Sequence, residues 1–247
     1  MKRLFALILA VTMMLALAAC GNSAPTEPSS EDGSQTPNST NVQLPEPSEP
    51  AADDATPDSS QPDDTTQVEQ TEGGSNMLVA YFSLAGEQYG VGVIEEGNTS
   101  IIAHMIAEQT GADLFEIEAA TPYPTSHSEL LDVSRQEMAN NARPEIVGTV
   151  DNMDDYDTIF IGYPNWWGDM PMIVYSFLES YDLSGKTIVP FCTHGGSGLS
   201  NTESTIADIT GGTMKDGFAI PGTTAQNDRD TARSKVTQWL KDGGFVE

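Results

Sequence analysis

Across residues 77–247 short apolar runs alternate with longer amphipathic stretches, and few folds accommodate that alternation. Residues 78–82, 113–117, 157–163, 186–192 and 217–220 are apolar over strand length and read as strands buried on both faces. Between them lie predicted helices. Residues 98–110 carry Ile101, Ile102, Met105 and Ile106 at helical spacing, and residues 126–141 follow. Residues 171–181 begin with Pro171, suited to a first helical turn; residues 201–209 and 227–241 complete the set. Strands separated by helices imply a parallel sheet with right-handed crossovers. Five such units predict an α/β domain with an open, doubly wound, five-stranded parallel sheet, because an eight-fold barrel needs about 250 residues. In sheets of this kind ligands bind beyond the carboxyl ends of the strands.

The chain before this domain has two parts. Residues 1–19 open with Lys2 and Arg3 and continue as an apolar run from Leu4 to Ala19, interrupted only by Thr12, as in a secretory signal peptide. The sequence Leu17-Ala18-Ala19-Cys20-Gly21 resembles the lipobox of bacterial lipoproteins. That resemblance implies an acylated Cys20 as the mature N-terminus and an exported protein, lipid-anchored to the outer face of the bacterial cell membrane. Residues 20–76 carry all 12 acidic residues found between Glu27 and Glu72 and no Lys or Arg, with Val42, Leu44 and Val68 almost the only sizeable apolar side chains. So little apolar surface cannot offset the entropy of ordering, and the segment is predicted to be a disordered linker with a reach of roughly 40 Å.

Charge narrows the partners. Of 37 acidic and 10 basic residues, residues 77–247 hold 25 and 8, a formal charge of −17. Such a surface repels nucleic acid and anionic lipid, so membrane contact is expected through the lipid anchor only. Cys192 is the domain's one cysteine, which excludes an intradomain disulfide and a thiolate metal cluster.

Three loops fall at carboxyl ends of the predicted strands. The first runs from Ser83 to Gly97-Asn98-Thr99, where a helix N-terminus, its free N–H groups and nearby hydroxyls suit a phosphate. The second is Pro164-Asn165-Trp166-Trp167-Gly168, which presents two indoles on a stiff loop, a platform for a planar ligand. The third, Thr193-His194-Gly195-Gly196-Ser197-Gly198, lets backbone N–H groups approach a ligand closely.

Together these loops resemble those of the flavodoxin-like FMN-binding family. Tyr81-Phe82-Ser83 with Gly97-Asn98-Thr99 is similar to its phosphate loop, here split by an insertion, residues 84–96. Gly162 to Gly168 resembles the second flavin loop and Pro190 to Gly198 the third. The resemblance implies strand order 2-1-3-4-5, FMN as cofactor, and Ser83, Asn98 and Thr99 as phosphate contacts. It further implies electron transfer to a redox partner protein, or oxidoreductase action on a small acceptor such as a quinone with NAD(P)H. Three roles stay open for His194: a hydrogen bond to the ring's carbonyl region, positive charge placed there, or a loop histidine satisfied within its own turn. The alternative reading is a cofactor-free surface binding module on the same fold.

Other chemistries fit poorly. Ser197 has Gly195 two residues before it, but Leu199 takes the second glycine's place and no histidine follows His194, so a nucleophile elbow is excluded. Cys192 and His194 lack a third orienting group. His104, His127 and His194 fall on separate elements with no metal-binding spacing.

Overall fold

The computed structural model describes residues 76–247; the expected signal peptide, Cys20 and all but the end of the linker lie outside the described residues. The central sheet is parallel. Its strands are β1 (Met77–Tyr81), β2 (Asp113–Glu116), β3 (Thr158–Pro164), β4 (Thr187–His194) and β5 (Phe218–Pro221). Their spatial order is β2-β1-β3-β4-β5, the predicted 2-1-3-4-5.

Period-two alternation splits the apolar residues of each strand between two cores. Leu78 and Ala80 of β1, Ile159, Ile161 and Tyr163 of β3, and Ile188 and Cys192 of β4 face one layer. There they meet α3 (Met172–Glu179) through Ile173, Val174, Phe177 and Leu178, and α4 (Thr202–Thr210) through Ile206. Val79, Tyr81, Phe160, Val189 and Phe191 face the other. That layer holds α1 (Asn98–Thr110), with the four apolar residues read from its spacing, and α6 (Arg229–Asp242), with Val236 and Leu240. The remaining helices are α2 (His127–Ala139), following β2, and the short α5 (Gly222–Asn227).

The last sheet position is broken in two. Thr213–Met214 pairs with the start of β4 and β5 with its end. Pro190 of β4 accounts for the break. The Ile188 carbonyl accepts from Lys215 N–H at 2.9 Å, so Pro190, two residues on, turns the same backbone edge outward with no N–H to offer. Pairing resumes at Phe191 with Phe218. The fifth strand, expected at 217–220, is found at Phe218–Pro221, and proline in a non-edge strand is tolerated because its neighbour is interrupted beside it.

Several further elements lie outside the sequence reading. The insertion folds as an antiparallel ribbon of Gly86–Gln88 with Gly92–Ile94. Glu118–Ala119 pairs antiparallel with Ile146–Val147. The closing helix is preceded by α5, and Asp228 caps α6 by accepting from Thr231 N–H at 3.1 Å.

Candidate functional site

The ends of β1, β3 and β4 open into one cleft of about 570 Å³. Its lining brings together Asn98, Pro164, Asn165, Trp166, Trp167, Gly168, Thr193, His194, Gly195, Gly196 and Ser197 from the three predicted loops. Ser83, Gly97, Thr99 and Gly198 stand behind that lining and organise it.

At the β1 end the first turn of α1 is built around Gly97. A Cβ there would collide with Ser83 Oγ and the Leu84 backbone, so only glycine lets the helix start this close to the strand. Gly97 provides no side-chain cap. Ser83 substitutes for it: its Oγ accepts from Ser100 N–H at 3.0 Å, while the hydroxyl proton stays free to be donated. Helix capping thus comes from the segment that leaves β1 rather than from the helix's own first turn. The Thr99 hydroxyl is buried and lies 2.8 Å from that of Thr193, tying the first loop to the third. Asn98 lines the cleft, and its Oδ1 is buried without a partner.

The second loop is a tight turn. Trp166 N–H donates to Asp169 O at 2.8 Å and Asp169 N–H to Trp166 O at 2.9 Å. Trp167 and Gly168 between them have φ of +59° and +84°, the sign pattern of a type I′ turn. A left-handed tryptophan is strained, and the surroundings hold it there. Asn165 does most of this. Its Oδ1 accepts from Gly168 N–H at 3.1 Å, and its Nδ2 donates to Gly198 O at 2.9 Å and to Ser200 Oγ at 3.2 Å, on the third loop. Asp169 anchors the far side through Met170 N–H and the Tyr175 hydroxyl.

The two indoles have different jobs. Trp166 is partly buried and meets Phe82 and Tyr123 edge-on at 5.6 and 5.8 Å between centroids, wedged against the sheet end. Trp167 remains 46 % exposed. Its Nε1–H donates to Ser134 Oγ of α2 at 3.0 Å, and the Arg135 guanidinium sits 4.3 Å from its ring centre.

In the third loop Gly196 N–H donates to His194 Nδ1 at 2.9 Å. An Nδ1 that accepts is unprotonated, so the ring is neutral with its proton on Nε2. Burial also lowers the His194 pKa below its usual 6.5, away from a charged ring. Of the roles open to His194, positive charge does not fit: Nδ1 is satisfied within the loop, which leaves Nε2–H available for donation. Cys192 is fully buried, its thiol directed at Gly198 O (3.3 Å) and its pKa pushed up to about 12 by desolvation, which removes it as a nucleophile.

Sequence reasoning missed a further wall. Gln88 and Tyr89 of the inserted ribbon, His127, Leu130, Leu131 and Ser134 of α2, and Gly222 also line the cleft. The amphipathic pattern of residues 126–141 gave the helix but not which face lines the cleft.

A family model for flavodoxin matches residues 76–242. The chain belongs to the flavodoxin family. Two solved structures, each of a protein classed as a flavoprotein, resemble this flavodoxin domain. One, from Bacteroides eggerthii DSM 20697, is 31 % identical, with a TM-score of 0.54 and coverage of 68 % of this chain and 97 % of the other. The second, from Bacteroides uniformis ATCC 8492, is 32 % identical, with a TM-score of 0.54 and coverage of 68 % and 99 %. No curated protein matches the chain.

Proposed function

We propose that the domain binds FMN and uses it in electron transfer, either to a partner protein or to a small acceptor such as a quinone. The observation that carries this reading is the convergence of the α1 N-terminus and both tryptophans on one cleft. Asn98, on the first turn of α1, lines that cleft, so the helix's unbonded N–H groups and positive dipole end lie at its margin. An anion there is favoured without a charged side chain. Trp166, Trp167 and Pro164 offer flat apolar surface for a ring, and neutral His194 offers Nε2–H to a ring carbonyl. The residues present therefore fit a phosphate joined to a planar heterocycle. FMN, when bound, supplies one- and two-electron chemistry that no side chain here can perform.

The chain's own residues do the rest. The α1 N–H groups hold the phosphate while Ser83 braces that turn through Ser100 N–H, Asn165 fixes the second loop against the third, and the apolar walls exclude water from the ring. A domain charge of −17 disfavours added negative charge at the site and so lowers its reduction potential relative to free FMN.

With the lipobox-like Leu17 to Cys20 and the acidic linker, this reading places the activity at the outer face of the cell membrane, tethered through the acylated cysteine. Purification of the full chain in mild detergent tests the cofactor: yellow protein releasing FMN on denaturation supports it. Colourless protein that takes up no added FMN overturns it. Steady-state NAD(P)H oxidation with quinone acceptors then separates a reductase from a carrier.

A further inference from the structure

The insertion at residues 84–96 folds into a two-stranded ribbon, a structure only marginally stable in water alone. Here it is docked. Glu87 N–H donates to Thr125 O at 2.8 Å, and Glu87 Oε2 accepts from His127 N–H at 3.1 Å, placing a carboxylate at the start of α2. The docked ribbon carries Tyr89 between its strands, 71 % exposed yet lining the cleft. The ring edge lies so close to Gly195 that a Cβ there would be 2.8 Å from Tyr89 Cδ1. Its centroid is 6.3 Å from that of His127.

Helix α2 relates this ring to the other exposed one. Tyr89 stands by His127 and Trp167 is bonded to Ser134, with Leu130 and Leu131 lining the cleft between. Seven residues at 1.5 Å each separate the two anchors by roughly 10 Å. The third loop itself, His194 to Gly198, contributes no large aromatic side chain.

We propose that Tyr89 is a ligand-positioning residue that closes the ring slot opposite Trp167, the inserted ribbon supplying the aromatic surface that the glycine-rich loop lacks. The proposal rests on the flavin reading above. Gly195 is small because the Tyr89 ring occupies the space a side chain would take, and Glu87 holds the ribbon in register with α2.

The full chain, purified in mild detergent and stripped of flavin, is titrated with FMN while flavin fluorescence is followed. Tyr89→Ala is expected to weaken FMN binding about tenfold and to raise the fluorescence of bound flavin, because a stacked ring is lost. Tyr89→Phe, which keeps the ring, stays within twofold of wild type. Val93→Ala, on the same ribbon at a residue 81 % exposed and outside the cleft lining, leaves both readouts unchanged. Tyr89→Ala within twofold of wild type with unchanged bound fluorescence overturns the proposal, as does Tyr89→Phe binding as weakly as Tyr89→Ala. A wild-type chain that takes up no FMN is a different failure: it overturns the flavin reading and this proposal with it.

Discussion

Replacing Asn165 with alanine removes the side chain that fastens the tryptophan loop to the glycine-rich loop. Three hydrogen bonds go: to Gly198 O at 2.9 Å, to Ser200 Oγ at 3.2 Å and from Gly168 N–H at 3.1 Å. A hydrogen bond contributes about 1 kcal/mol net, and the partial exposure of Asn165 lets water replace some of that, so the expected loss is about 2 kcal/mol. For a domain of this size 1 kcal/mol moves Tm by about 2–4 °C, giving an expected drop of about 4–8 °C. Thermal unfolding by circular dichroism, without flavin, measures it. Ser200→Ala removes the longest of the three bonds and the exposed 3.4 Å bond from Ser200 Oγ to Ser197 O, and should shift Tm by less than about 2 °C, corresponding to under 0.5 kcal/mol. FMN affinity should fall further than stability, because the freed turn no longer holds Trp167 at positive φ. An Asn165→Ala Tm within about 2 °C of wild type would show that the cross-loop bonds contribute little, refuting the idea that they hold the site in shape.

Other consequences follow from the same geometry. A double-mutant cycle of Thr99→Val and Thr193→Val, read by urea unfolding, should give a coupling of about 1 kcal/mol for the buried hydroxyl pair; strict additivity would contradict it. His194 has a folded pKa below its unfolded 6.5, so the unfolded state takes up the proton first as pH falls. Its contribution is fully present above pH 6.5 and is lost as pH drops from there through the folded value. The urea midpoint of wild type should therefore fall more steeply than that of His194→Gln below pH 6.5. Cys192, buried and with its pKa pushed up to about 12, should resist iodoacetamide at pH 8 in the native protein and react readily in urea; rapid native alkylation would refute its burial.

Much of this was legible in the sequence because it depends on repeated patterns. The bounds of α1, residues 98–110, followed from four apolar residues at helical spacing between Gly97 and Gly111. The five strand positions followed from apolar runs too short for helices. The ribbon at residues 84–96 escaped because three-residue strands interrupted by Gly90 and Gly92 leave no period to detect. Tyr89 was its one signal, an aromatic in an otherwise polar, glycine-rich insertion. The separate roles of Trp166 and Trp167 depend on the turn that Gly168 permits and on Phe82, Tyr123 and Ser134, partners distant in sequence. The Thr99–Thr193 bond spans 94 residues, and no local pattern announces it. The gap in the fifth strand was foreshadowed by Pro190, whose missing N–H matters only once its neighbour is known.

Parallel titrations of the flavin-free chain with FMN and with riboflavin test the central claim most directly. The two ligands share the ring and differ in the phosphate, so they separate the Trp-walled cleft from the α1 N-terminus. Binding of one FMN per chain, at least tenfold tighter than riboflavin, is the expected result. Equal affinity for the two, or uptake of neither, would contradict an anion site at α1 joined to a ring site between the loops.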